Sequence, residues 1–402
     1  MRKIIYLDYQ ATTPLDPRVR RAMEPYLGEK FGNASSLTHA VGRQAARAVE
    51  KARAEVAGLV GADAREIVFT SGATESVNLA LKGAARAYRE KGRHLITLAI
   101  EHKAALDSCK RLETEGFGVT RLGVGRDGCL DARDLKKAIR RDTILVSVMA
   151  ANNEIGVLQP VAEVAKIARE RGILFHSDAA QAVGKIPLDL RALGMDLLSF
   201  SAHKICGPKG IGALVVRKRE PRVRLLPLID GGGHESGFRS GTLNVPAIVG
   251  FGRACVLAGR EMRREAARTA RLRNRLRDSL LDRLPDGVVN GSWEHRLPNN
   301  LNLSFAGVDA KALMKRLKNI ALSSGSACTS TSLEPSYVLK AIGVSEERRR
   351  AAIRLSVGRF TTIGEIDRAV EEIVAGVKRM RKVAQVFRQR RIRPSAENLR
   401  YV

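Results

Sequence analysis

The chain of 402 residues is poor in each feature that would mark a secreted, membrane-spanning or zinc-organised protein. Its five cysteines, Cys109, Cys129, Cys206, Cys255 and Cys328, stand singly, with no CxxC pair. A disulfide framework and a zinc knuckle both need paired spacing, so neither is expected. No apolar run approaches the roughly 18 residues of a membrane span. The opening MRKIIYLDYQ is basic and then briefly apolar, but Asp8 interrupts it before a secretory signal could form. A cytoplasmic protein with no membrane contact is expected. Aromatic residues are scarce, at 4%, and no stacking motif interleaves the basic stretches. Acidic residues are outnumbered as well: 70 Lys and Arg against 42 Asp and Glu leave a net charge of +28. Such a field draws polyanions without reading them. Specific nucleic-acid binding is therefore not expected.

What the chain does contain is alternation. A chain of this length calls for two domains rather than one core. Short apolar runs (EIVF, HLITLAI, TILVSVM, ILFHSD, MDLLSFSAH, GIGALVVRK) alternate with helical patterns such as SLTHAVGRQAARAVEKARAEVAGLV and VAEVAKIARERG. That order predicts βαβ units and an α/β fold on a largely parallel sheet covered on both faces. After GGGHESGFRSGTLNVPAIVG the regularity stops. A long helical stretch from about Val245 to Leu284 leads into mixed strand and helix, which predicts a smaller α+β unit. The spacing predicts a last helix over IGEIDRAVEEIVAGVKRM, with a polar, basic tail after about Val383.

In an open α/β sheet, functional residues gather at the carboxyl ends of the strands. After EIVF, the turn Ser71-Gly72-Ala73-Thr74 opens a helix and offers N–H groups and a hydroxyl to an anion. His102 follows HLITLAI, and Asn152 and Asn153 follow ILVSVM. Asp178 ends ILFHSD, with Gln181 just beyond; a carboxylate carried there is costly unless it meets a cation. Ser201, His203 and Lys204 follow the next strand. An anion cup, an acid in want of a cation and a sequestered lysine are accounted for together by pyridoxal phosphate. Its phosphate suits the cup, its pyridinium the aspartate, and its aldehyde a Schiff base with Lys204. A surface lysine in the following GPKG turn is the alternative for Lys204. In the second unit, SSGSACTS sets Cys328 among small polar residues, an accessible setting for a nucleophilic thiolate. Arg354, in AAIRLSVGRF, sits on a strand-like pattern that could aim it into a cleft to grip a carboxylate. An ordinary salt-bridging arginine is the alternative there. Cys206 reads as an inert small residue.

In order along the chain, YLDYQATTPLDPRV, FGNASS, IVFTSGATESVN, EHKA, NNEIGV, DAAQAVGK, SAHKICGPKGIGAL, GGGHESGFRSGT, SSGSACTSTSLEPSYVL and SVGRFTTIGEID make this sequence closely resemble the IscS/NifS-type cysteine desulfurases, class-V-aminotransferase-like enzymes of pyridoxal-phosphate fold type I. The resemblance implies a large domain (16–260) with a mostly parallel seven-stranded sheet. It implies a small domain from 1–15 and 261–402, with an active-site loop at 323–335 and a basic tail. It implies that Lys204 holds the cofactor, Asp178 pairs with its ring nitrogen, His102 stacks on the ring and moves protons, and Gln181 meets the ring hydroxyl. Ala73, Thr74, Ser201 and His203 would bind the phosphate, joined by Thr242 from the second subunit of a homodimer. Asn153, Arg354 and Asn33 would hold L-cysteine, and Cys328 would take its sulfur as a persulfide, leaving L-alanine. The implied acceptors are an iron–sulfur scaffold protein and tRNA-thiolation proteins. In handing sulfur on, Cys328 would become a transient ligand of a [2Fe–2S] cluster shared with the scaffold.

Overall fold

Valine, leucine and isoleucine in runs of four or five cannot hide both faces of a strand unless helices cover each side. In the computed structural model, which describes residues 4–218, 220, 222–324 and 336–392, those runs form the middle of a sheet. The strands in chain order are β1 (Ile5–Tyr6), β2 (Ile67–Thr70), β3 (His94–Leu98), β4 (Gly118–Leu122), β5 (Thr143–Ser147), β6 (Leu174–Asp178), β7 (Leu197–Ser201), β8 (Gly212–Val216), β9 (Val288–Val289), β10 (Asn300–Ser304), β11 (Ile320–Ala321) and β12 (Ala352–Ser356). Seven of them make one sheet in the order β2-β8-β7-β6-β5-β3-β4. β3 to β7 run parallel, and β8 alone opposes its neighbours β7 and β2. Every residue of β5, β6, β7 and β8 is buried, whereas the edge strand β4 is largely open. The expected mostly parallel α/β sheet is thus present.

A second, smaller core lies under the antiparallel trio β12-β10-β9 and the parallel pair β1-β11. Ile5 and Leu7 pack there with Leu301, Leu303, Ile353 and Ile373, so the chain's first strand serves the later part of the sequence. One helix joins the two cores. Val245–Arg283 runs for 39 residues, roughly 58 Å at the usual rise. Asn244 Oδ1 accepts from Ala247 N at 3.1 Å to start it, and Pro246 sits in its first turn. Its early residues Phe251, Cys255 and Ala258 belong to the large core. Leu272, Leu276 and Leu280, at four-residue spacing, belong to the small one.

The last helix differs from the sequence pattern. It spans Ile363–Ile392 rather than closing near Met380, because Lys, Arg, Ala and Gln, which dominate the residues that follow, keep a high helix propensity. The tail beyond it, 393–402, lies outside the described residues.

The sheet also carries a buried polar bridge. His176 on β6 lies between Ser147 Oγ and Ser199 Oγ, both at 2.9 Å, and is fully buried. Burial brings its pKa from 6.5 to about 3. The folded protein therefore refuses a proton that the unfolded chain accepts below about 6.5. Its contribution to stability is complete above that pH and is lost as pH falls towards 3, by up to roughly 4–5 kcal/mol. Denaturant midpoints at pH 7 and pH 4 should fall more steeply for the wild type than for His176→Gln. Equal slopes would mean that this imidazole is not held neutral.

Candidate active site

The functional side chains come from loops that leave the carboxyl ends of the parallel strands. After β2, Ser71 and Gly72 turn the chain into the helix Ala73–Asn78, which continues through a π-helical turn, Leu79–Gly83. Glu75 folds back to accept from Ser71 N at 2.8 Å and pairs with Arg239 at 2.9 Å, which fixes the turn. The first-turn amides of any helix have no partner within it. β8 must pass directly beneath: a Cβ on Gly212 would lie 2.7 Å from the Gly72 backbone, so only glycine fits.

Asp178 closes β6 and is 6% exposed. Its Oδ1 accepts from Ala180 N at 2.9 Å. Burial raises its pKa, and the positive charges of His102 and Lys204 pull the other way. His102 caps the helix Lys103–Thr114, its Nδ1 accepting from Ala104 N at 3.1 Å. When neutral, it therefore carries its proton on Nε2. The sequence pattern placed His102 at a strand end, but β3 stops at Leu98 and the helix cap holds the ring instead.

Lys204 ends the short turn Ala202–Lys204 that follows β7. Its Nζ donates to the carbonyls of Gln10 and Ala11, the latter at 2.8 Å. His203 Nδ1 lies 3.1 Å from Thr12 Oγ1. Burial, with Lys204, Lys209 and Lys185 nearby, brings its pKa down to about 4, so the ring is neutral at pH 7. Lys185 is itself drawn down to about 7 by burial and by Lys204.

These groups line one cavity of about 460 Å³. Ser71, Ala73, Thr74, His102, Asn153, Asp178, Gln181, Ser201, His203 and Lys204 all reach its wall. Two buried polar atoms on that wall, Ser201 Oγ and Asn153 Oδ1, have no hydrogen-bond partner among the described residues. A hydroxyl without a partner beside a turn of helix-start amides suits a phosphate. A buried carboxylate facing a lysine across the same space suits a pyridinium and an aldehyde. The residues present therefore fit pyridoxal phosphate. Among the described residues, no group of three or more His, Cys, Asp or Glu could hold a metal ion.

The remaining expected residues lie elsewhere. Arg354 on β12 is 2% exposed and does not line the cavity. It stands behind the wall, donating to Asn153 O at 2.7 Å and to Asp8 Oδ1 at 2.8 Å, while its Nε has no partner among the described residues. Asn33 and Thr242 are exposed and away from the cavity of the single chain. Thr242 follows a loop that is firmly pinned. Arg53 grips Glu235 with two hydrogen bonds of 2.8 Å, and Phe69 N donates to the same carboxylate at 2.7 Å. This clamp holds Glu235 and Ser236 at φ of 52° and 57°. Cys206 is buried, its thiol pKa raised by burial, in keeping with an inert residue.

Cys328 falls in 325–335, outside the described residues, but both flanks of that segment are anchored beside the site. Ser323 pairs with Arg354 through backbone bonds. Ser336 Oγ donates to Glu154 Oε2 at 2.5 Å, and Tyr337 OH to Glu101 O, next to His102, at 2.6 Å. Sequence reasoning missed the segment Gln10–Thr13 as a source of site contacts. It has no periodicity, and its bonds to the turn at 203–206 span about 190 residues, so no local signal could have revealed them.

Comparison with known proteins gives the same picture. The Aminotransferase class-V family profile matches residues 5–369. A cysteine desulfurase IscS from Anaeromyxobacter dehalogenans is 58% identical over 383 residues, 95% of each chain. A solved NifS-like protein superposes with a TM-score of 0.87 at 40% identity, covering 92% of this chain and 98% of its own. SspA, solved in complex with cysteine, gives a TM-score of 0.79 at 38% identity, over 89% of this chain and 99% of its own.

Proposed function

The chain belongs to the class-V aminotransferase family, within it to the cysteine desulfurases, and on that premise we propose how its residues share the reaction. It is a pyridoxal-phosphate-dependent enzyme that takes sulfur from L-cysteine and releases L-alanine. The observation that carries the assignment of roles is the convergence of Asp178, Ser201 and Lys204 on one cavity. When bound, pyridoxal phosphate supplies a carbonyl for amines and an electron-poor ring that accepts the electron pair released at the substrate Cα.

In this reading 16–260 is the cofactor-binding unit, and 1–15 with 261–402 the smaller one. Ala73, Thr74, Ser201 and neutral His203 hold the phosphate. Asp178 keeps the ring nitrogen protonated, which relieves the cost of its own burial. Lys204 would hold the cofactor, and its amine would take the substrate Cα proton. The Gln10 and Ala11 carbonyls receive that amine once it is charged. His102 stacks on the ring and returns a proton from Nε2. Gln181 donates to the ring oxygen. Asn153 and Arg354, with Asn33, position the substrate carboxylate. Cys328 Sγ, as thiolate, bonds to the substrate sulfur while that sulfur's bond to carbon breaks, leaving a persulfide.

A homodimer supports this chemistry better than a lone chain. Leu27, Phe31 and Leu37, at 69%, 78% and 61% exposure, cluster along the chain around Asn33. A second copy covering them is the subunit to whose phosphate we assign Thr242. In this reading the enzyme works in the cytoplasm and passes sulfur to an iron–sulfur scaffold and to tRNA-thiolation proteins, with Cys328 briefly a ligand of the growing [2Fe–2S] cluster.

The assignment is tested by incubating the pyridoxal-phosphate-loaded protein with L-cysteine and a thiol reductant. Equal amounts of alanine and sulfide are expected. Pyruvate and ammonia in place of alanine would overturn it.

A further inference from the structure

Lys185 has no part in the scheme above, yet it is wired into it. It sits four residues beyond Gln181 in a run of turns, and its Nζ donates to Gln181 Oε1 at 3.2 Å. On the other side of the amide, Gln181 Nε2 donates to the Gln10 carbonyl at 3.0 Å. That carbonyl is the one that Lys204 Nζ also meets. A carbonyl can only accept, and a charged lysine amine can only donate. Both partners therefore demand the same orientation of the Gln181 side chain, and reversing the amide would break two hydrogen bonds at once. In the orientation they enforce, one N–H of Gln181 serves Gln10 and the second remains for the cavity that Gln181 lines.

We infer that Lys185 is a positioning residue: it fixes Gln181 so that an N–H donor, not a carbonyl, faces the cofactor's ring oxygen, and through the shared Gln10 carbonyl it helps seat Lys204. The inference rests on the proposed placement of pyridoxal phosphate. An N–H directed at the ring oxygen favours its anionic form, whereas a carbonyl would repel it. Lys185 acts from behind. It lines a separate small cavity of about 50 Å³, together with Lys204, Asn299 and Arg359, and is not among the residues that line the cofactor's cavity. The linkage from Lys185 to Gln181 to the Gln10 carbonyl to Lys204 is a chain of hydrogen bonds in which each member polarises the next.

The test uses the full-length, cofactor-loaded enzyme. Lys185→Met is expected to lower kcat about tenfold with KM changed by less than about twofold, the loss expected of one hydrogen bond to a charged donor. At fixed pH the visible band of the bound cofactor should lose intensity, a signal that a purely structural role would leave alone. Lys185→Gln, which keeps a donor at that point, should restore most of both. The double variant Lys185→Met/Gln181→Ala should be no worse than Gln181→Ala alone. Full additivity, or an unchanged spectrum and kcat in Lys185→Met, would overturn the inference. If Lys185→Met does not fold, the Lys185→Gln spectrum decides: a wild-type band supports the donor role, and a diminished one refutes it. A wild-type protein that takes up no pyridoxal phosphate would instead remove the functional reading on which the inference stands.

Discussion

Lys204→Ala is expected to lose desulfuration by about 10³-fold or more, because in the proposed scheme the same amine both holds the cofactor and moves the substrate proton. The protein should still fold, since the bonds the amine makes to the Gln10 and Ala11 carbonyls tie down one short backbone segment and not a core element. The visible band of the covalently held cofactor should disappear along with activity. Cys328→Ala separates the two halves of the reaction. It should keep that band, because Lys204 and Asp178 are both unchanged, and lose alanine and sulfide formation to a similar degree. Spectra and product assays on the two variants suffice. Sulfide released by Cys328→Ala at the wild-type rate would remove the persulfide step and leave a lyase.

Asp178→Asn should be nearly as damaging, by roughly 10²–10³-fold, since it keeps the shape but removes the carboxylate proposed to face the ring nitrogen. The direction of its effect on stability is the informative part. Burial already penalises the charge on Asp178 in the protein without cofactor, and its pKa is raised accordingly. A neutral amide of the same size escapes that penalty, and Oδ1 can still accept from Ala180 N. The cofactor-free variant should therefore melt at or above the wild-type temperature while its activity collapses. Activity within threefold of wild type would show that Asp178 does not sustain the ring's charge.

How far these positions could be read from the sequence depends on the range of the contact that fixes them. Asp178, Ser201 and Lys204 were legible because an apolar strand delivers a polar residue to its carboxyl end, and strands of five residues leave little choice of where that end falls. The seven-stranded sheet followed from the same runs. The extent of the last helix was not legible, since the pattern that marks a buried face fades near Met380 while helix propensity does not. Arg354 shows the limit most clearly. Alternation placed it on a strand, but its partner Asp8 lies 346 residues away, so only the folded chain could show that the guanidinium braces the wall from behind. The carbonyls of Gln10 and Ala11 carry no side-chain chemistry at all, and nothing in their letters marks them as a seat for Lys204.

The 39-residue helix that enters both cores has a consequence for how damage spreads. Two units joined by a loose linker can fail separately, and one can outlive the other. Here Phe251 and Leu276 stand on the same rod, so fraying at either end withdraws buried surface from its neighbour. The molecule has one spine, and a lesion at either end of it is shared by both cores.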